Sequence, residues 1–385
     1  MLPEIRRARV GVTAAFVLNG FTAGSFVARI PDFKKILEIS EGLLGLSLLF
    51  VSIGVFLALR PAGRNSARFG SKPVIFWSTI AIGLALPLVG WLPSLQITWV
   101  GLFLLGFVLA TQDVSMNAHA VVIEQRAERR VMSTFHAMFS VGTFVGGIFG
   151  GALSQFEISP LVQSWMTLPI FVFSAFWIRS LLLPAEVDQH PIALEGKGKS
   201  PRIFWIFGVF GLFAAMSEGA AGDWGGVLAR DAFAATPFIS TLPFITFTVA
   251  MVIGRFSGDY LAHRFGAAKV IATGGAIASI GLGTGLAIGG ITIQIISWFL
   301  LGIGLSVVIP LMFSAAGTIA STQFPGVIAP SQAIARVSGV SYFGFVIGPP
   351  LIGFLAELFE LRWALYLLVA LTFSLIFAAR YARTA

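Results

Sequence analysis

No cysteine occurs in the 385 residues. That absence removes disulfides, thiolate metal sites and cysteine nucleophiles together. Charge is scarce too: Asp, Glu, Lys and Arg make up 11% of the chain, against about a quarter in soluble domains. So thin a charged surface does not solvate a soluble fold. Histidine is limited to His119, His136, His190 and His263, and none follows the H-E-x-x-H spacing of a zinc hydrolase. No G-x-x-x-x-G-K-[S/T] string is present, which argues against direct ATP drive. Neither a nucleophile–base constellation nor a metal set is visible. The chain is therefore read as no enzyme, with no cofactor and no metal.

What is abundant is apolar. Hydrophobic residues make up 57% of the chain, 37 of the residues are Phe, and the mean hydropathy is +0.91. A membrane span needs about 20 predominantly apolar residues. Such runs recur at 9–30, 43–62, 74–93, 97–119, 132–153, 163–183, 203–226, 238–258, 269–290, 293–316, 331–356 and 362–381. The expectation is an all-α membrane protein of twelve transmembrane helices. The opening segment, with Arg6, Arg7 and Arg9, has the look of a signal peptide. Its apolar run continues to about Ile30 without a cleavage site, so it reads as the first span. Trp91, Trp99, Trp165, Trp224 and Trp363 fall near the outer span ends, where an aromatic belt is expected.

The net charge is +8, yet the basic residues lie between spans rather than along one face, so nucleic acid is not an expected partner. With the N-terminus inside, twenty of the 25 Lys and Arg fall at cytoplasmic loops or span ends. They include Arg60, Arg64, Arg68, Lys72, Arg126, Arg129, Arg130, Lys197, Lys199, Arg202, Arg264, Lys269, Arg380 and Arg383. Only Arg29, Lys34, Lys35, Arg230 and Arg362 fall outside. Both termini are expected in the cytoplasm of a bacterium, with the chain multi-pass in its inner membrane. The expected partners are the lipid bilayer and a small-molecule solute, and the chain is expected to be monomeric.

The connection from Leu183 to Arg202, "LPAEVDQHPIALEGKGKSPR", is polar and mixed in charge. It divides an N-terminal six-helix half, 1–183, from a C-terminal half, 203–385, with 184–202 as a cytoplasmic linker. The halves repeat. "RFGSKPVI" from Arg68 recurs as "RFGAAKVI" from Arg264, and "FLLG" from Phe103 recurs from Phe299, both at an offset of 196. With a two-residue adjustment, Ser140, Gly146 and Gly150 match Ser338, Gly344 and Gly348. Two parallel halves around a central site are one common solution to alternating access.

"GRNSARFG" and "GDYLAHRFG" are similar to the loop motif G-x-x-x-D-R-x-G of the major facilitator superfamily. Gly63, Arg68 and Gly70 carry the motif in one half, and Asp259, Arg264 and Gly266 in the other. The motif aspartate is replaced by Ala67 and His263. Across its length the chain resembles this superfamily, and "DVSMN", "FHAMFSVGT", "SEGAAGDW" and "RVSGVSYFGFVIGPPLIG" resemble its YbjJ-like group, related to fucose:proton symporters. The resemblance implies two pseudo-symmetric six-helix halves and solute transport. The acid usual in the first span of the fucose symporters is absent, with Val27 in its place.

Carboxyls inside spans are costly, about 2.5–3.5 kcal/mol on insertion scales, and mark ion pathways and proton relays. Asp113 lies ~24 Å from the outer start of its span, and Asn117 and Glu124 follow on the same helix face. At offset 196 their counterparts include Ile309 and Phe313, so this polarity belongs to one half. Glu218 lies ~22 Å into its own span, in a glycine-rich stretch, "MSEGAAGDWGG", that weakens the helix. Asp113 and Glu218 are the expected proton-coupling residues. Asn19, Asn117, Phe139, Tyr342 and Phe343 are expected to line the substrate cavity. Arg29 with Asp223 outside, and Arg336 with Asp113 or Glu124 inside, are the expected gates. His136, near the inner end of its span, is a candidate to join the inner cluster, though a lone His is more often a hydrogen-bonded packing residue. The reading is a secondary transporter of an uncharged polar or weakly cationic solute, driven by the proton gradient. An uncoupled facilitator and a transport-inactive ligand sensor are the alternatives.

Overall fold

The computed structural model describes residues 3–92, 94–127, 131–187, 201–324, 328 and 330–381. Of the basic residues used above for orientation, Arg129, Arg130, Lys197, Lys199 and Arg383 lie outside them, as do His190 and most of the expected linker. Helices α1 (Pro3–Leu37), α2 (Glu41–Phe69), α3 (Ser71–Trp91), α4 (Leu95–Ala127), α5 (Met132–Gln155) and α6 (Pro160–Leu181) come first. They are followed by α7 (Arg202–Asp223), α8 (Gly225–Phe233), α9 (Leu242–Phe265), α10 (Ala267–Ile288), α11 (Ile291–Leu305), α12 (Val308–Gln323), α13 (Pro330–Ala364) and α14 (Tyr366–Ala378). No strand occurs among the described residues.

Eleven of these segments are long and apolar enough to span a membrane, α11 and α12 counting as one. The twelfth expected span differs. Glu360, at φ 63°, breaks the long helix, and the last helix is interrupted again at Leu365 before the shorter α14. The helices carry large apolar side chains on their outsides, including Trp77, Phe173 and Phe256. That surface suits lipid. Trp91, Trp165 and Trp363 are exposed as a belt requires. Trp224 is not: it is fully buried, because the helix breaks there and turns the indole inward.

Two compact units divide the chain inside the 184–202 segment, and residues 40–46, at the start of α2, group with the second unit. In the first unit α1 packs along α5, and α3 packs on α4 and α6. In the second α7 packs along α13, and α10 on α11 and α14. Small residues set these contacts, since without a hydrophobic drive between helices in lipid close backbone approach is what holds them. Gly146 backs onto the carbonyl of Phe21 and Gly150 onto that of Ser25. Gly344 does the same against Leu212, while Gly348 faces the Met216 side chain. Likewise Gly106 meets the carbonyl of Val51, and Gly302 that of Phe247. The internal repeat is therefore a repeat of contacts as well as of letters.

Two further features follow from local chemistry. Gly70 and Gly266 precede α3 and α10 with φ 79° and φ 83°, a region open to glycine without strain. The break between α11 and α12 falls at Ser306 and Val307, and Pro310 lacks the N–H that would have reached the Ser306 carbonyl.

Candidate functional site

In the first unit, α4 presents Asp113 and Asn117 one turn apart, both half-buried. The Asn117 amide donates to Asp113 Oδ1 at 3.1 Å and to the Asp113 carbonyl at 2.9 Å. Behind them a buried polar chain crosses three helices. Asn19 on α1 donates to Gln112 Oε1 at 2.9 Å and to the Leu109 carbonyl at 3.1 Å. Gln112 in turn donates to Thr79 Oγ1 at 2.7 Å, and Thr79 to the Ile75 carbonyl at 2.7 Å. Asn19, 5% exposed, thus has both amide hydrogens engaged in tying α1 to α4. Gln112, completely buried, was missed in the sequence. Its position just before Asp113 was the available signal.

Glu124 acquires a specific partner. Its carboxylate accepts from the backbone N–H groups of Val131 and Met132 at 2.8 and 3.0 Å. These are orphan donors at the start of α5, so Glu124 caps that helix. His136 is exposed on α5, its ring edge-on to Phe16 with centroids 5.3 Å apart. Phe139 is half-buried in the α1–α5 cluster. His119, noted only for lacking metal spacing, is fully buried. Its Nδ1 lies 2.6 Å from Ser71 Oγ, and its Nε2 accepts from the Leu183 N–H at 3.2 Å.

Arg29 does not end the first span, because α1 continues to Leu37. The guanidinium is 2% exposed. Its Nε lies 3.0 Å from Asp32 Oδ2, its Nη2 donates to the Ile158 carbonyl, and Ser154 donates to Asp32 Oδ1 at 3.0 Å. This cluster ties α1 to the α5–α6 turn.

In the second unit the helix breaks at Trp224 between α7 and α8, where the glycine-rich stretch led one to expect it. Glu218, on α7, meets Arg255 of α9 with Nη2 and Oε1 3.3 Å apart. The two side chains are 26% and 48% exposed, so the guanidinium keeps donors directed away from the helix contact. Arg255 was not among the expected site residues. A cation within an apolar run was the available signal. Asp223 is half-buried beside Gly219. Arg336 is half-buried on α13. Tyr342 and Phe343 are 51% and 44% exposed on the same helix.

The loop-motif residues are less uniform. Arg68 lies over the Phe69 ring at 5.0 Å. Arg264 donates to the Tyr260 hydroxyl at 2.7 Å. Gly63 has open space around it, and the side chain of Asp259 lies outside the described residues. Among the described residues no His, Asp and Glu group could hold a metal ion.

The repeated contacts give each unit a register, and the register exposes an asymmetry. Six residues beyond Phe21 is Val27; six beyond the equivalent Leu212 is Glu218. Eight beyond Val51 is Leu59, and eight beyond Phe247 is Arg255. Conversely, Asp113 and Asn117 stand where the second unit has Ile309 and Phe313. Each unit thus carries polar residues at places where the other is apolar.

Duplicated helical units with polar pairs inside apolar spans define a multi-pass membrane protein of the solute-carrier type. The chain belongs to the Major Facilitator Superfamily, whose profile matches residues 12–228 and again 206–384. It is 30% identical to an uncharacterized MFS-type transporter of Yersinia pestis over 356 residues, covering 92% of this chain and 91% of that one. It is 27% identical to the membrane protein MosC of Rhizobium meliloti, over 93% of this chain and 86% of the other. Among solved structures it is similar to the nucleoside transporter NupG, with TM-score 0.77 at 13% identity, covering 98% of each chain. At that identity the likeness is one of fold. Membrane solute transport is the activity this family membership supports.

Proposed function

We propose that the protein is a secondary active transporter that moves a small polar solute by alternating access, coupled to protons. The observation that carries this reading is the placement of a carboxyl with a polar partner in each unit, Asp113–Asn117 and Glu218–Arg255, at positions the other unit fills with apolar side chains. Duplication alone would have kept the units alike, and carboxyls in spans are costly unless they serve ion movement or substrate. Asp113 and Glu218 are the proton carriers in this proposal. Asn117, Phe139, Tyr342 and Phe343 contribute solute contacts. Arg29, Asp223, Glu124, His136 and Arg336 serve the gates, Glu124 through its hold on the start of α5. The resemblance of "DVSMN" and "SEGAAGDW" to YbjJ-like relatives of the fucose:proton symporters supports proton coupling, while Val27 in place of the symporter acid argues for a different route through Glu218. The distribution of Lys and Arg supports cytoplasmic termini in a bacterial inner membrane.

The test is solute-driven pH change in proteoliposomes, after a stabilisation screen has supplied a solute. Wild type should acidify or alkalinise the lumen with solute addition. Asp113→Asn or Glu218→Gln should abolish that change while solute counterflow persists. If both variants drive protons as wild type does, the coupling assignment is wrong. A solute that shifts the melting temperature but shows no counterflow would support the sensor instead.

A further inference from the structure

The two units treat the same corner differently. In the first, Gly70 backs onto the carbonyl of Ala185, and Lys72 donates to the Leu182 carbonyl at 3.2 Å. The chain leaving α6 covers the start of α3. In the second unit the matching residue is Gly266, and a Cβ there would meet nothing within 4 Å. Beside it opens a cavity of about 770 Å³ between α9, α10 and α14, lined by Ala262, Phe265, Ala268, Lys269, Phe377 and Arg380 among others. A second cavity, of about 500 Å³, shares Phe265 and Lys269. It runs along α10 past Thr273 to Ile277 and is walled by Leu261 and Val307. That run from Lys269 to Ile277 is ~12 Å of helix.

Lys269 stands where the two cavities meet. It is exposed and makes no hydrogen bond or ion pair with a described residue; Arg380 is exposed and lies over the Tyr381 ring at 5.3 Å. Among the described residues no acidic side chain lines either cavity. Two cations at the end of a membrane helix, opening onto an apolar groove, match a ligand with an anionic head and a hydrocarbon tail. A free anion would leave the groove unused. The residues after Tyr381 bring a further cation, Arg383, so their charge does not complement the corner.

We infer that this corner binds an anionic phospholipid, with its phosphate between Lys269 and Arg380 and one acyl chain in the groove beside α10. The site is independent of solute transport and of the carboxyls above.

The experiment uses the full-length protein in neutral detergent. Native mass spectrometry reads retained lipid, and melting temperature reads folding, with phosphatidylglycerol, phosphatidylcholine or inorganic phosphate added. Wild type should retain phosphatidylglycerol over phosphatidylcholine and ignore phosphate. A basic residue near anionic lipid contributes on the order of fivefold in affinity, so Lys269→Gln or Arg380→Gln should each cost about fivefold, and the pair about 25-fold. Thr273→Phe keeps every charge but obstructs the groove beside α10, and should also lower retention while the melting temperature in phosphatidylcholine stays at the wild-type value. Equal retention of the two lipids, an equal response to phosphate, or undiminished retention by the double variant would each overturn the inference.

Discussion

Placed in register, the two units share a skeleton and divide its chemistry. Both use glycine to bring their first and fifth helices together, and both start their third helix after a glycine with positive φ. Beyond that they diverge. The first unit is braced by the Asn19–Gln112–Thr79 chain and the Arg29–Asp32 cluster, and its helices run unbroken. The second interrupts its helices at Trp224 and at Ser306, and places Glu218 against Arg255. Scaffold is thus duplicated while the polar side chains it carries differ.

The skeleton is where the largest effect is expected. In the first unit Gly142 sits against the carbonyl of Val17, and Gly20 and Gly24 sit against the carbonyls of Phe139 and Thr143. Backbone cannot step aside, so Gly142→Val should leave no monodisperse protein on size-exclusion chromatography. In the second unit Gly208 faces the Val340 side chain, with 2.7 Å to its Cβ from a Cβ added at the glycine. The shortfall is smaller than against the Val17 carbonyl and the added group is a single methyl, so Gly208→Ala should cost about 1–3 kcal/mol, as overpacking does. Equal tolerance of the two substitutions would dissolve the contrast between the units.

The next prediction tests whether the polar pairs are interchangeable with their apolar counterparts. Val27 is half-buried, at the level of Glu218, and Leu59 is 41% exposed, at the level of Arg255. Val27→Glu puts an unpartnered carboxyl inside a span and should destabilise by about 2.5–3.5 kcal/mol. Adding Leu59→Arg should recover part of that loss in thermal unfolding in detergent. No recovery would mean the register does not extend to side-chain geometry.

Gln112 offers an intermediate effect. Replacing it by Leu leaves the Asn19 amide and the Thr79 hydroxyl short of a partner in a buried place, costing about 1–3 kcal/mol. Asn117→Ala on the same helix removes only a half-buried local bond and should cost less than Gln112→Leu in the same unfolding assay.

How much of this was legible beforehand depends on range. Composition announced the solvent, apolar runs announced the spans, and the repeat announced the duplicated halves, because each is a local or periodic signal. Asp113, Asn117 and Glu218 were legible because charge and amide are costly among apolar neighbours. What was not legible was partnership. That Asn19 serves Gln112, that Glu124 caps α5, and that Glu218 meets Arg255, 37 residues away, depends on how helices rotate about their axes, and polarity alone does not fix that. Trp224 misled for a related reason: a residue near a span end belongs to the belt only if the helix does not break beneath it.

The smallest stability effect is expected at Arg255, and it bears on what the pair is for. A partly open ion pair contributes about 0–1 kcal/mol. Glu218, 26% exposed in a setting already built around a carboxyl, keeps access to water, where a carboxyl newly placed at Val27 has no such setting. Arg255→Gln should therefore move the melting temperature little. If the pair were a structural brace, that small loss would be the whole consequence, and transport would fall in proportion. If it serves movement of the solute or the proton, transport should fall far more than stability. The double variant Glu218→Gln/Arg255→Gln separates these further. Removing one partner leaves a lone charge in the span, whereas removing both leaves none. The double variant should therefore be at least as stable as Arg255→Gln alone and still fail to couple solute to protons. A double variant that regained coupling along with stability would return Glu218 and Arg255 to the scaffold, and leave Asp113 in the first unit as the only candidate carrier.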